Sequence, residues 1–468
     1  MTFPTDIRIV ETEPIFRRER ARVPLKFGGV VMEEAIYFTC RVRVENRRGK
    51  VADGYGGIFL SDVWAWPSPH VMHSLRERVM QCVAVRFAQR VGEYGEFTHP
   101  LDLFYEVEAE LHRLARDASA ELGAAETLPM LGALVCASAV DAALHDAFGV
   151  VNELDSYLCY GREHARDARH FLRRARATGP VLESARGKYL DEFLRPAYEP
   201  RVPVFHLVGG LDKLTRDELT DDDPQDDLPV SLDDWIARDG LFCLKVKLRG
   251  TDLDWDLQRL IAVHRVAVEQ CAPDRAPVYT ADTNEMCDSP DYMVALLTKL
   301  REQSPAAFDA LLYVEQPTHR DLALHPHRMD DVAALKPVFV DESLTDMASY
   351  ELARSLGASG VALKTCKCQS SCLVTVARCH LEGVPYAVQD LTNPSLALLQ
   401  SAGLAARIHP VMGVEANSRQ FFPDASRDVA SVHPGLVIRK GGMLDTSSLC
   451  GPGLGWQKAG SCVAEAGE

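Results

Sequence analysis

The sequence has no uninterrupted run of about 18 apolar residues, so no membrane span is evident from it. Its opening, Met1-Thr2-Phe3-Pro4-Thr5-Asp6, lacks the basic-then-apolar pattern of a secretory signal. An excess of basic residues is also missing. With 51 Lys and Arg against 67 Asp and Glu, the formal net charge is -16, which argues against nucleic acid and anionic membranes as partners, because both require basic patches. An anionic small molecule is not excluded, since a metal and a few lysines reverse the sign locally. Paired CxxC spacing is absent from the thirteen cysteines, an odd number scattered along the chain. Free, buried thiols in a reducing compartment are expected, and with them a cytoplasmic protein. Cys366, Cys368, Cys372 and Cys379 fall on an expected barrel helix and read as thiols rather than metal ligands.

At 468 residues the chain exceeds one ordinary hydrophobic core, and two domains are expected. Ile7-Arg8-Ile9-Val10 and Phe38 to Val44 read as strands, followed by the turn Asn46-Arg47-Arg48-Gly49-Lys50 and a glycine-rich loop, Gly54-Tyr55-Gly56-Gly57. Helical patterns follow at Pro100 to Ala120 and Leu131 to Phe148. An α+β first domain over 1–128 fits. A segment at about 150–200 resists placement, and within it Arg162 to Arg176 reads as an exposed helix. The run Asp221-Asp222-Asp223-Pro224-Gln225-Asp226-Asp227 reads as a surface loop.

From residue 203 short apolar runs alternate with helix-length segments. They are Val204-Phe205-His206, Phe242 to Lys247, Val278-Tyr279-Thr280, Leu311 to Val314, Val338-Phe339-Val340, Val361-Ala362-Leu363, Tyr386-Ala387-Val388 and a weaker Val411-Met412-Gly413-Val414. Eight such units predict an α/β fold whose parallel strands close into a modified TIM barrel over about 129–420, with 421–468 returning to the first domain. Polar residues end nearly every run, where barrel enzymes place their active sites. Asp282, Glu315 and Asp341 follow three consecutive runs and suit a hard cation such as Mg²⁺. Lys245 and Lys247, two apart on one strand, share a face, and each disfavours the other's protonation.

The motifs Lys245-Val246-Lys247, Asp282-Thr283-Asn284, Glu315-Gln316-Pro317, Asp341-Glu342-Ser343 and Ala362-Leu363-Lys364 stand in an order and spacing that resemble the enolase superfamily. Within it, they resemble the muconate-lactonizing-enzyme-like branch of the mandelate racemase and muconate lactonizing enzymes. Val140 to Asp146 and Gly451-Pro452-Gly453-Leu454-Gly455 add weaker support. The resemblance implies a (β/α)7β-like barrel with an N-terminal α+β capping domain, and Asp282, Glu315 and Asp341 as Mg²⁺ ligands. It places Lys247 and Lys364 on opposite faces of a small carboxylate substrate, with Lys245 tuning Lys247, and it implies a homo-oligomer, dimer or octamer. The chemistry implied is removal of the proton α to the carboxylate, giving an enediolate. Acid-sugar dehydration is placed slightly ahead of racemisation, epimerisation or cycloisomerisation. Substrate contacts are expected from Asn284, Glu342, Asp390, Glu415 and His206 on the barrel, and from Lys26 and Tyr55 in the cap, where Lys26-Phe27-Gly28-Gly29 reads as a closing loop. Trp64 and Trp66 read as apolar contacts or core. The competing readings are a Schiff-base aldolase built on Lys364 and a catalytically silent barrel serving as a binding or scaffold protein.

Overall fold

The computed structural model describes residues 2–27 and 29–456, so Gly28 of the expected cap loop lies outside the described residues. Three antiparallel strands, β1 (Ile7–Phe27), β2 (Val30–Asn46) and β3 (Val51–Phe59), form the N-terminal sheet in that order. The first two are far longer than their apolar cores suggest. The charged stretch Arg17-Arg18-Glu19-Arg20 stays in β1 because its side chains remain solvated and paired: Arg17 meets Glu19, and Arg18 meets Glu34 and Glu77. A register shift between Arg20 and Leu25 re-aims the end of the hairpin, and Phe27 comes to lie with its ring centre 6.0 Å from Lys247 Nζ.

The glycine-rich run is a strand, not a loop. A Cβ at Gly54 would stand 2.1 Å from the backbone nitrogen of Ala147, and one at Gly56 would stand 2.0 Å from the carbonyl of Ala139. Bare backbone at these two positions lets the helix Met130–Asn152 lie directly on β3. By length and composition that helix could cross a membrane, but nearly all of it is buried within the fold.

Eight parallel strands follow: β4 (Arg201–Val208), β5 (Cys243–Lys247), β6 (Val278–Asp282), β7 (Leu311–Glu315), β8 (Val338–Val340), β9 (Gly360–Lys364), β10 (Tyr386–Gln389) and β11 (Val414–Glu415). Each pairs with the next, and β11 pairs with β4 to close the barrel; β12 (Met443–Asp445) adds antiparallel to the outside of β4. The weak eighth run shrinks to two residues. A side chain at Gly413 would overlap the carbonyl of Pro203, so the chain can approach β4 only there as glycine.

Within the segment at 150–200, the basic stretch narrows to a short helix, Ala168–Arg174, capped by Asp167, which accepts from the His170 amide. It is not a wholly solvated face: Phe171 and Leu172 are buried, and Arg174 pairs with Glu106. The acidic loop is tethered too. Arg22 of β1 makes a bidentate pair with Asp226 at 2.6 and 2.7 Å, and donates to the carbonyls of Leu228 and Pro229. Cys366, Cys368, Cys372 and Cys379 are buried free thiols.

Candidate active site

Alternation along each strand decides which side chains enter the barrel mouth. Leu207 is in register with Lys245, and Lys247 with Asp282, which in turn is in register with Glu315. These residues therefore point one way, into the barrel. His206 is in register with Leu244 and points the other way. It is buried beside Arg439, with Nδ1 3.1 Å from the guanidinium, and its ring lies 5.4 Å from Trp235; burial holds it neutral. The expectation that His206 lines the pocket is corrected by this parity. The same argument corrects Lys26. Leu25 and Phe27 line the mouth cavity, whereas Lys26, between them, lies against Gly210 and accepts its amide proton through the backbone carbonyl. Tyr55 sits mid-strand opposite Arg41 and donates its amide to Asp146. It does not close over the site; Ser61 and Trp64, just beyond β3, do so instead.

Five consecutive strands carry the charged centre. Lys245 and Lys247 come from β5, Asp282 from β6, Glu315 from β7, Asp341 from the residue after β8, and Lys364 from β9. In an eight-stranded closed barrel, β5 and β9 are four strands apart, so the two lysine-bearing strands face each other across the axis with the three acids on the strands between. Lys247 Nζ donates to Asp282 Oδ2 at 2.5 Å and to Asn284 Oδ1 at 3.0 Å. Lys245 Nζ lies 3.1 Å from Asp282, 2.8 Å from Glu315 and 3.1 Å from Glu415, and donates to Gln389 at 2.8 Å. Lys364 Nζ stands 2.8 Å from Asp341 Oδ2. Lys367, which sequence reasoning passed over, donates to Asp341 Oδ1 at 3.0 Å and to the Asp341 carbonyl at 2.5 Å. The turn Thr365–Lys367 brings it back to the site. A basic residue three positions after Lys364 was its only sequence signal.

All of these groups are buried, and their ionisation reflects it. Desolvation alone would push the lysines down, but Glu315, Glu415, Asp282 and Asp341 outweigh it at Lys245, and Asp341 does so at Lys364, so both ammonium groups are held above their ordinary value. The expected mutual depression of neighbouring lysines is thus overridden at Lys245. Desolvation and the charges of Asp282 and Asp341 raise Glu315 to about 8. Asp282 is driven down to about 2 because the lysine charges exceed its desolvation, and Asp341 is also lowered, by Lys364 and Lys367.

Around this centre Asn284 Nδ2 and Trp64 Nε1 both donate to Glu342 Oε1, at 3.1 and 2.8 Å. The Trp64 ring centre lies 4.4 Å from Lys364 Nζ. Glu415 accepts from Asn417 at 2.6 Å as well as from Lys245. Asp390 accepts the amide of Thr392 at 2.9 Å and lines the mouth cavity; burial and the Glu415 charge raise it to about 7. That cavity has a charged floor from the barrel and an apolar ceiling of Leu25, Phe27, Met32 and Trp64.

The donor set fits a hard divalent cation. Three buried carboxylates present only oxygen, and Glu342 Oε2 is buried beside them without a hydrogen-bond partner. Asp341 Oδ2 likewise receives no well-aligned hydrogen bond, although Lys364 stands within ion-pair distance. Among the described residues no three acids, histidines or cysteines are drawn together into a ready cage. The ammonium groups of Lys245 and Lys364 hold the oxygens that such an ion would take.

Residues 228–458 match the family model described as enolase C-terminal domain-like. No functionally curated sequence matches the chain significantly. Among solved structures, the chain is similar to a substrate-liganded L-Ala-D/L-Glu epimerase from Bacillus subtilis, with TM-score 0.60 and 17% identity over 96% of this chain and 98% of that one. It is similar to the muconate lactonizing enzyme from Pseudomonas fluorescens complexed with muconolactone, with TM-score 0.60 and 15% identity over 96% of both chains. A dipeptide epimerase from Enterococcus faecalis V583, complexed with Mg and the dipeptide L-Leu-L-Tyr, gives TM-score 0.55 and 15% identity over 87% of this chain and 90% of that one. A closed barrel of this kind beneath an antiparallel sheet is the fold of these enzymes, and the segment 228–458, which carries the acids and lysines in this order, is the part of the chain that matches the enolase C-terminal domain-like family.

Proposed function

We propose that the chain removes and returns the proton α to a carboxylate, racemising or epimerising an acid whose remaining substituents are mostly apolar. The carrying observation is the order lysine, acid, acid, acid, lysine on five consecutive strands, which puts an amine on each side of whatever lies over the acids. Asp282, Glu315 and Asp341 would hold Mg²⁺, as the Mg-complexed structural relative suggests. When bound, the ion supplies charge stabilisation for a carboxylate gaining electron density at its oxygens. Lys247, freed from Asp282, takes the proton on one face, while Lys364 delivers or takes it on the other; Lys245 and Gln389 keep Glu315 in place.

Acid-sugar dehydration, the outcome put first from sequence, has less support from the cavity. A polyhydroxylated substrate needs polar partners along its length, and the cap offers Leu25, Phe27, Met32 and Trp64, with Ser61 as the hydroxyl among the cap side chains lining the cavity. The apolar dipeptide in the Enterococcus faecalis relative agrees with that ceiling. The test is incubation in D₂O with Mg²⁺ and a panel of N-acyl amino acids, dipeptides and acid sugars. Deuterium entering the α position of apolar acids is expected; dehydration of acid sugars without such exchange would replace this reading.

A further inference from the structure

The turn that leaves β6 holds two consecutive residues in left-handed backbone conformations, Asn284 at φ 45° and Glu285 at φ 64°, and Gln316, the first residue after β7, stands at φ 32°. Side chains other than glycine keep such conformations where the surrounding contacts over-determine them. Here the Glu285 amide donates to the Gln316 carbonyl at 2.7 Å, and the Gln316 side chain in turn accepts the amides of Asp341 and Ser343 at 2.9 and 3.2 Å. The turn sends its two side chains to different partners. Asn284 accepts from Lys247 and donates to Glu342, whereas Glu285 takes the guanidinium of Arg320. Arg320 Nε lies 2.8 and 2.9 Å from the two Glu285 oxygens, Nη2 bonds Oε1 as well, and the Arg320 amide donates to Oε2 at 2.8 Å. One edge of the guanidinium is occupied in this way, and the remaining nitrogen, Nη1, donates to the carbonyl of Trp64 at 3.0 Å. Trp64 belongs to a helix of a single turn, Asp62–Ala65, too short to bond its own last carbonyls. The residue is thus held at both ends, its carbonyl by Arg320 and its indole N–H by Glu342, with the ring over Lys364.

We propose that Arg320 is a positioning residue for Lys364. Braced by Glu285, it fixes the main chain of Trp64, and so sets where the indole meets Glu342 and how the ring covers the Lys364 ammonium. Without Arg320 the single-turn helix is free to shift and Lys364 loses its cover, while Lys247, bonded to Asp282 and Asn284 of the barrel itself, keeps its place. That Lys364 moves a proton rests on the proton-abstraction reading above; that Arg320 sets the indole does not.

The test compares Arg320→Met with Arg320→Lys, which keeps a charge beside Glu285 but cannot fork to both acceptors. The first readout is the indole N–H signal of Trp64 in protein labelled with ¹⁵N-tryptophan, assigned by its loss in Trp64→Phe. That signal is expected to move in both variants, while those of Trp235 and Trp255, on barrel helices, stay. A Trp64 signal that stays, or a common shift of all the indoles, overturns the proposal whatever the chain catalyses. The second readout is α-exchange of both enantiomers of an apolar N-acyl amino acid by the Mg²⁺-loaded protein in D₂O. Each variant should slow by about tenfold or more the enantiomer whose exchange Lys364→Ala abolishes, and slow the other less. Equal slowing of both enantiomers makes Arg320 a general structural support and overturns its action on Lys364. If the Trp64 signal moves but wild type exchanges no acid, the hold of Arg320 on Trp64 stands and its catalytic purpose falls with the proton-abstraction reading.

Discussion

Trp64 joins the cap to the catalytic end of the barrel by two interactions that can be separated by mutation. Its Nε1 donates to the buried Glu342 Oε1 at 2.8 Å, and its ring lies over Lys364 Nζ at 4.4 Å. Trp64→Phe keeps a ring but removes the donor, leaving Glu342 with Asn284 alone. A hydrogen bond to a charged group contributes about 1.5–3 kcal/mol, and a buried acceptor that loses one is not resolvated. Trp64→Leu also forfeits the ring above the ammonium, a further loss of about 0.5–2 kcal/mol. Urea denaturation of the two variants should show these steps in that order, and the volume lost with the indole adds to both. The cycle with Glu342→Leu, which removes the acceptor, isolates the hydrogen bond from that volume, with an expected coupling of about 1 kcal/mol or more. A coupling near zero, or Trp64→Phe as stable as wild type, would refute the reasoning.

Further expectations follow from other parts of the fold. Gly56→Ala forces a methyl into the Ala139 carbonyl and should cost about 1–3 kcal/mol or more in denaturation, with Gly54→Ala similar; neutrality of both would mean that β3 does not need its bare backbone. Asp146, buried and accepting the amides of Tyr55 and Leu454, is raised by desolvation to about 6, well above the ordinary unfolded value. Its protonated form is therefore favoured by folding, so its contribution is full below about pH 4 and is lost as pH rises through 6, at up to about 1.4 kcal/mol per pH unit. Asp146→Asn should flatten that slope in urea titrations between pH 4 and 6. Arg22→Ala releases the hairpin from Asp226 and from the carbonyls of Leu228 and Pro229, and should raise KM about tenfold while changing kcat less, because Leu25 and Phe27 lose their support. Chelation should abolish α-exchange and Mg²⁺ should restore it, with far-UV circular dichroism unchanged; exchange persisting in chelator would favour the Schiff-base alternative.

The barrel was legible because each of its strands is an apolar run followed by polar residues, and burial on both faces leaves little else for such a run to do. The acids and lysines were legible for the same reason, standing where each run ends. What the sequence hid was facing. His206 and Lys26 lie one residue away from the side chains that enter the mouth, and a period of two turns a one-residue ambiguity into the opposite face. The hairpin was hidden by the charge of Arg17 to Arg22, which a solvated strand tolerates. Tyr55 was misplaced because glycines that read as a loop serve close helix packing instead. Trp64 read as an apolar contact or core, with nothing to show that its indole N–H reaches Glu342, and Lys367 gave no pattern of its own; the cap and the turn after β9 bring them to the site.

The most direct test uses both enantiomers of an apolar N-acyl amino acid in D₂O, with α-exchange followed by NMR for Lys247→Ala and Lys364→Ala. If amines on β5 and β9 flank the reacting carbon, each variant loses exchange of one enantiomer and keeps at least part of the other, in opposite senses. Equal residual exchange of both enantiomers in both variants would contradict two-sided proton transfer.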